Sequence, residues 1–319
     1  MEVINFAPVV IPTLNRFEHF KRCLESLERC TGADKTDVYV GLDFPPSEKY
    51  VEGWKKIDAY LTEKEKKHGF KNLYVRRRDH NCGVGNPNSN FGLLNKEIEQ
   101  KCDCVISSED DNEFSPNFLE YLNKALEKYK EEPRVRIICA YSPPEFYGVT
   151  QDNIFCSLDV PAYGVGRWFA KDKTATIKNY QDVDDLFKKS FFRLLSYFCV
   201  FPTLVAMAID MVNKKVNWGD VRRCVENMSN GTYAICPTVS LSRNWGCDGS
   251  GLHSGVVPGL EKLLISRETH FEIDDIELKL PKEYKKRLRT RNINSKGFNR
   301  YLDLLRLFVR VVKYYFSIK

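Results

Sequence analysis

Short unbroken apolar runs alternate along this chain with longer stretches in which apolar residues return every three or four positions. This is the pattern of strands alternating with amphipathic helices. The stretch from Pro8 to Arg16 reads as a strand entering a turn. Phe17, Phe20, Leu24 and Leu27 follow at helical spacing, with Asn15 placed to cap the helix and Glu18 in capping-box position. A second strand, Asp37 to Leu42, ends at Asp43 before two prolines, and a helix over Val51 to Lys67 leads to a third strand, Asn72 to Val75. The apolar run Val105-Ile106 suits a fourth strand. Phe118, Leu119, Leu122, Leu126 and Tyr129 then mark a helix, and Arg134 to Tyr141 a further strand. Such alternation builds a mostly parallel, Rossmann-like α/β sheet.

Beyond Tyr141 the pattern changes. Tyr163-Gly164-Val-Gly-Arg-Trp168-Phe169 reads as a glycine-hinged aromatic loop, whose rings suit sugar faces and equally suit a packed corner. Phe191 to Val212 is largely apolar, but Arg193, Pro202 and Asp210 interrupt it, so it reads as two buried helices meeting at Pro202 and not as a membrane span. Trp218-Gly219-Asp220 opens another helical segment, where an Asp is ordinarily a cap. In the final helical stretch, from Phe298, a narrow polar stripe of Asn299, Asp303, Arg306, Arg310, Lys313 and Ser317 faces a wide apolar side. That side carries Tyr301, Leu302, Leu305, Phe308, Val309, Val312, Tyr315 and Phe316. Such a helix either docks on the protein's own core or a second subunit, or lies in the plane of a membrane, helped by the Lys- and Arg-dense segment Leu280 to Lys296.

The 319 residues, 43% hydrophobic and 13% aromatic, are enough for a large folded core. Eleven cysteines, an odd number without a Cys-x-x-Cys pair, point to reduced thiols in a cytoplasmic protein and away from a zinc site. Met1 to Pro12 passes straight into a strand without the basic and apolar regions of a signal peptide. The net charge of +6 is unevenly spread: from Leu278 onward 13 Lys/Arg face Glu283 and Asp303, a surplus of +11 that leaves the preceding chain at −5. The basic character therefore belongs to the tail. Basic segments also bind nucleic acid, but no recognition motif accompanies this one.

The densest chemistry lies in Cys104 to Glu113, where the apolar run stops at Glu109, Asp110 and Asp111. Three neighbouring carboxylates raise one another's pKa unless a hard divalent metal, backbone donors or water hold them ionised. They follow a strand's carboxyl end, where open α/β sheets bind ligands. The plainer alternative is an acidic loop before a helix capped by Ser115 and opened by Pro116. Asp43 can accept the imide hydrogen of a uracil, or simply form a turn. Arg76, Arg77 and Arg78 face either a diphosphate or solvent. Asn81 to Asn90 is rich in small residues that admit close backbone approach, but has neither a Walker sequence nor a dinucleotide fingerprint. Asn244 to His253 is a glycine-rich loop delivering one histidine.

In their order and spacing, Pro12 to Arg16, Asp43, Glu109-Asp110-Asp111, the Tyr163 to Trp168 loop, Gly219-Asp220 and Asn244 to His253 resemble the GT-A fold nucleotide-sugar glycosyltransferases. The pattern is that of bacterial surface-polysaccharide transferases, and the Glu-Asp-Asp run is similar to that of N-acetylglucosaminyltransferase I. The resemblance covers roughly residues 8 to 255. It implies a nucleotide-binding half (1–141) and an acceptor half (142–277), followed by the basic tail with its amphipathic helix (278–319). It also implies Mn²⁺ or Mg²⁺ on Asp111 with His253 completing the site, and Glu109 and Asp110 at the ribose, donor sugar or metal water. Asp220 would be the base of an inverting reaction, although many relatives carry Glu-Asp or Trp-Asp where this chain has Gly219-Asp220. Pro12, Thr13, Asn15, Arg16, Asp43 and Asn81 fall on the donor side, and Tyr163, Gly164, Trp168 and Trp218 on the sugar or acceptor side. The implied donor is a UDP-sugar and the acceptor a glycan or lipid-linked hydroxyl, at the inner face of a membrane.

Two other classes remain. A sugar-phosphate nucleotidyltransferase uses a similar sheet and metal, but carries a glycine-rich N-terminal loop that Pro12 to Arg16 lacks. A non-catalytic membrane-associated binding protein with the same fold would neither hydrolyse nor transfer.

Overall fold

The computed structural model describes residues 6–249, 263–293 and 295–317. The first half runs β1 (Val9–Thr13), α1 (Phe17–Glu28), β2 (Asp37–Leu42), α2 (Glu48–Lys66), β3 (Asn72–Arg77), α3 (Asn90–Glu99), β4 (Cys104–Ser107), β5 (Asn112–Phe114), α4 (Phe118–Lys128) and β6 (Val135–Cys139). There follow β7 (Ile154–Ser157), β8 (Val165–Trp168), α5 (Phe169–Lys173), α6 (Tyr180–Lys188), α7 (Phe191–Val200), α8 (Pro202–Lys214), α9 (Gly219–Asn230), β9 (Tyr233–Pro237), β10 (Ser242–Asn244), α10 (Lys282–Leu288) and α11 (Phe298–Phe316).

Eight strands form one sheet in the order β3-β2-β1-β4-β8-β6-β9-β7. β3, β2, β1, β4, β6 and β9 run in one direction, with β8 and β7 against them. This is the mostly parallel, Rossmann-like layout anticipated above, with β10 and β5 paired as a separate antiparallel ribbon. Consecutive residues of β1 are buried because both sheet faces are covered. Val9 and Ile11 join the core beneath α1 and α4, whereas Val10 packs with Leu94 and Ile98 of α3. A second core lies under α6 to α9 and takes in Tyr284, Leu288, Val311 and Tyr314 from beyond residue 278.

Four local readings are corrected. The N-cap of α1 is Arg16 and no side chain caps it; neither Asn15 nor Glu18 forms the capping box, and the Arg16 side chain serves the acids instead. Helix α4 begins at Phe118 after Asn117, with the Ser115 hydroxyl donating to Asn117 Oδ1 (2.8 Å). Val165 to Trp168 is a strand wedged between β4 and β6, not a loop. The basic segment around residues 280–296 is partly internal: Tyr284 is fully buried with its hydroxyl bonded to Ser157 and the Leu158 N–H, and Arg287 donates to the carbonyls of Glu145 and Tyr147.

The break at Pro202 falls as read, with proline in the first turn of α8, where its missing N–H is tolerated. Among the described residues no helix is long and apolar enough to cross a membrane. Helix α11 docks on the protein with half of its apolar side and leaves the other half outside.

Candidate functional site

Parallel register brings the carboxyl ends of β1, β2, β3 and β4 to one edge: Thr13 lies opposite Leu42, Leu42 opposite Arg77, and Val10 opposite Ser107. The acidic run leaves β4 at this edge. Asp110 and Asp111 are buried. Asp110 accepts from the Thr13 hydroxyl (2.8 Å) and from Arg16, and Arg16 Nη1 lies 2.7 Å from Asp111 Oδ2. The other oxygen of Asp111 accepts from Asn244 Nδ2 at 2.6 Å. Asn244 arrives through the β10–β5 ribbon, where it lies opposite Asn112. The next turn closes tightly: a Cβ on Gly246 would stand 2.0 Å from Asp111 Oδ2.

The electrostatics follow from crowding. Burial lowers the Arg16 pKa, but Asp110 and Asp111 outweigh it and the guanidinium is held more firmly protonated than usual. Burial pushes the Asp110 carboxyl up against the pull of Arg16 and Thr13. Glu109 is exposed at the mouth of the cluster, yet the protein crowded around its carboxyl, together with Asp111 and Asp110, pushes its pKa up to about 8. Asp220, in the first turn of α9, adds a smaller contribution to that rise. The Tyr163 phenol is also raised, by burial first and then by Glu109. Its ring meets Tyr141 edge-on at 4.9 Å.

Beside this cluster lies a second group of hydrogen-bonded polar residues. Asp43 is buried, and its N–H donates to the Thr13 carbonyl (2.9 Å). Asp43 Oδ1 accepts from the N–H groups of Phe44 and Cys82, both at 2.9 Å, and Oδ2 meets Asn81 Nδ2 at 3.4 Å. Asn81 is fixed by donating to the Phe44 carbonyl at 2.7 Å. Pro12 lies past the last β1–β4 pair, and the Asn15 carbonyl receives the Phe17 N–H. Arg76 and Arg77 turn away to Glu97, Asp58 and Glu65, whereas Arg78 donates to Asn90 Oδ1.

Several expected residues stand elsewhere. Trp168 is paired with Cys104 at the opposite end of β4 from the acids and is buried beneath the Lys171 ammonium; it does not line the cleft. Gly164 adopts φ +90°, and a Cβ there would meet the Phe118 ring at 2.7 Å, so its role is packing. Trp218 packs on the second core just before Asp220, with its N–H on Met211 Sδ. His253 lies outside the described residues. Asn244, read from the sequence only as the start of a glycine-rich loop, is the residue that locks Asp111. Its signal is a strand pairing across 132 positions, which local pattern does not carry.

Two of the three carboxyl groups, Asp110 and Asp111, pair with one guanidinium, and carboxylate oxygens suit a hard divalent ion. Among the described residues no group of three or more His, Cys, Asp or Glu side chains is placed to hold a metal ion.

No family model matches the sequence, and no curated protein matches it. Among solved structures the chain is similar to TarS of S. aureus, with TM-score 0.34 and 16% identity over 55% of this chain and 30% of that one. It is also similar to the mannosyltransferase PcManGT from Pyrobaculum calidifontis in complex with GDP-Man and Mn2+, with TM-score 0.35 and 13% identity over 73% of this chain and 56% of that one. Mouse xyloside xylosyltransferase 1, in its apo form, gives TM-score 0.39 and 9% identity over 72% of this chain and 83% of that one. The chain thus spans less than two thirds of the length of the first two.

Proposed function

We propose that this protein is a metal-dependent, inverting glycosyltransferase that moves a hexosyl or N-acetylhexosaminyl group from a nucleoside diphosphate sugar, of the UDP class, to a hydroxyl of a glycan or lipid-linked acceptor in surface-polysaccharide synthesis. The observation that carries this reading is the acidic cluster at the sheet's carboxyl edge, held by Thr13, Arg16 and Asn244 and flanked by Asp43.

Asp43 accepts the imide hydrogen of the base through Oδ2, since Oδ1 already holds two backbone N–H groups. Thr13, Arg16 and Asn81 line the path toward the diphosphate, and Glu109 and Asp110 meet the ribose or donor sugar. Asp111 would hold Mn²⁺ or Mg²⁺, with His253 as its partner ligand; when bound, the ion offsets charge on the departing phosphate. Asp220 takes the proton of the acceptor hydroxyl as its oxygen bonds to the anomeric carbon. The carbon–oxygen bond to the β-phosphate breaks and its electron pair leaves with the nucleoside diphosphate. Attack from the face opposite the leaving group inverts the anomeric centre. Tyr163 flanks the sugar or acceptor.

Calorimetry with UDP and Mn²⁺, followed by transfer assays over a panel of UDP-sugars, tests the reading. Asp111→Ala should abolish metal-dependent donor binding, and Asp220→Ala should spare donor binding while stopping transfer. Near-normal turnover in Asp220→Ala would remove the base from this scheme.

A further inference from the structure

Helix α11 has three sides. One faces the protein: Val311 and Tyr314 are buried, Leu307, Phe308 and Tyr315 pack on the second core, and Arg310 and Tyr314 bond to Asp210 and Asp184. The second is the polar stripe. The third carries Phe298, Tyr301, Leu305, Val309 and Phe316, which recur at helical spacing and are between 43% and 74% exposed. Phe192 of α7, 82% exposed, extends this side: the Phe191 ring lies 6.2 Å from it and 5.4 Å from Phe316. Six large apolar side chains on one contiguous strip exceed the scattered exposure of an ordinary soluble surface.

Charge decides what covers them. Arg306 and Lys313 edge the strip, and together with Val309 and Ile209 they line a groove of about 440 Å³ between α8 and α11. Arg193 follows Phe192, and Lys296 lies just before the helix. The one acid of α11, Asp303, is engaged by Ser295 and Arg306. The segment from residue 278 carries the +11 surplus. A second copy would bring like cations together across a two-fold axis, which disfavours it. An apolar strip bordered by cations matches the acyl and headgroup layers of a bilayer.

We infer that the α7–α11 face is a docking surface for an anionic lipid bilayer, with α11 lying in its plane. The contact is interfacial: apolar side chains enter the acyl boundary while Arg306, Lys313 and Arg193 meet lipid phosphates. The surface is separate from the acidic cleft, so the inference stands whether or not the transferase reading holds.

Flotation of the full chain with vesicles of phosphatidylglycerol and phosphatidylcholine, against phosphatidylcholine alone, tests it. The parent should float with the anionic vesicles and at least tenfold less with the neutral ones. Leu305→Glu with Val309→Glu should weaken flotation at least tenfold, and Arg306→Glu with Lys313→Glu should do so on anionic vesicles specifically. Both pairs are exposed or half-exposed, and an unchanged melting temperature reports the intact fold. Equal flotation with neutral vesicles, flotation unaffected by either pair, no flotation at all, or a dimer in solution that the first pair dissolves would each overturn the proposal. Donor binding by the same variants, expected to be unchanged, separates this outcome from failure at the cleft.

Discussion

Arg16 Nη1 lies 2.7 Å from Asp111 Oδ2, and the same guanidinium is also paired with Asp110. One cation therefore bridges two adjacent buried carboxylates, at the junction where β1 gives way to α1. Removing it leaves both uncompensated. Arg16→Gln should cost about 3–5 kcal/mol of stability in urea denaturation, the usual penalty for breaking a buried pair from one side. Arg16→Lys should recover only part, because an ammonium cannot fork between two partners as a guanidinium does. If Asp111 also takes a divalent ion, Arg16 competes for the same oxygen. Mn²⁺ should then raise the melting temperature of Arg16→Gln more than that of the parent. An equal or smaller rise would separate Arg16 from the ion's seat.

Gly246 sets how closely the chain can wrap Asp111. A Cβ there would stand 2.0 Å from Asp111 Oδ2, 2.8 Å from its Cγ and 3.1 Å from Arg16 Nη1. Gly246→Ala should displace the Asp111 carboxylate and weaken UDP binding in the presence of Mn²⁺ more than tenfold by calorimetry. Gly219→Ala is the matched control. Nothing lies within 4 Å of its added Cβ, and it opens α9, so it should leave stability unchanged or raise it by about 0.5 kcal/mol.

The strands of the parallel half and the place of the acids were legible in local pattern. The bounds of β2 coincide with the apolar run Asp37 to Leu42, and the helix break falls at Pro202 because proline there fixes both the end and the start. What escaped depended on partners distant in sequence. Val165 to Trp168 shows no alternation of apolar and polar residues because β8 is buried between two strands that run against it. That burial takes Trp168 away from the acids, to the other end of β4. Asn15 has the chemistry of a cap, but the attraction of two carboxylates for Arg16 organises that turn, and no pattern around residue 15 carries that information. The wide apolar side of α11 was visible; its division between core and exterior was not, because spacing records which residues share a face and not what meets it.

Asp43 separates a structural from a recognition role within one carboxylate. Asp43→Ala leaves the N–H groups of Phe44 and Cys82 without their acceptor and should cost about 1–3 kcal/mol. Asp43→Asn can keep Oδ1 for both and replaces Oδ2 by a donor. It should therefore retain the parent's melting temperature while binding UDP at least tenfold more weakly. Unaltered UDP affinity in Asp43→Asn would assign the carboxylate to loop structure alone.

Glu97 provides a test of pH dependence away from the cleft. Its carboxylate joins α3 to β3 through two bonds from Arg76, at 2.9 and 2.7 Å, and accepts from Lys101 at 2.9 Å. Arg76 first, with Lys101 adding to it against partial burial, holds its pKa down at about 2, below the ordinary 4.5. Because the folded-state value is the depressed one, the pair's contribution is fully present above pH 4.5 and is lost as the pH falls toward 2. Both partners retain solvent contact, so the contribution is about 1 kcal/mol and not the full value implied by the shift. Glu97→Gln should therefore unfold at lower urea than the parent at pH 7, with the gap narrowing from pH 4.5 downward. A gap that stayed constant over that range would mean that Glu97 acts through packing and not through its charge.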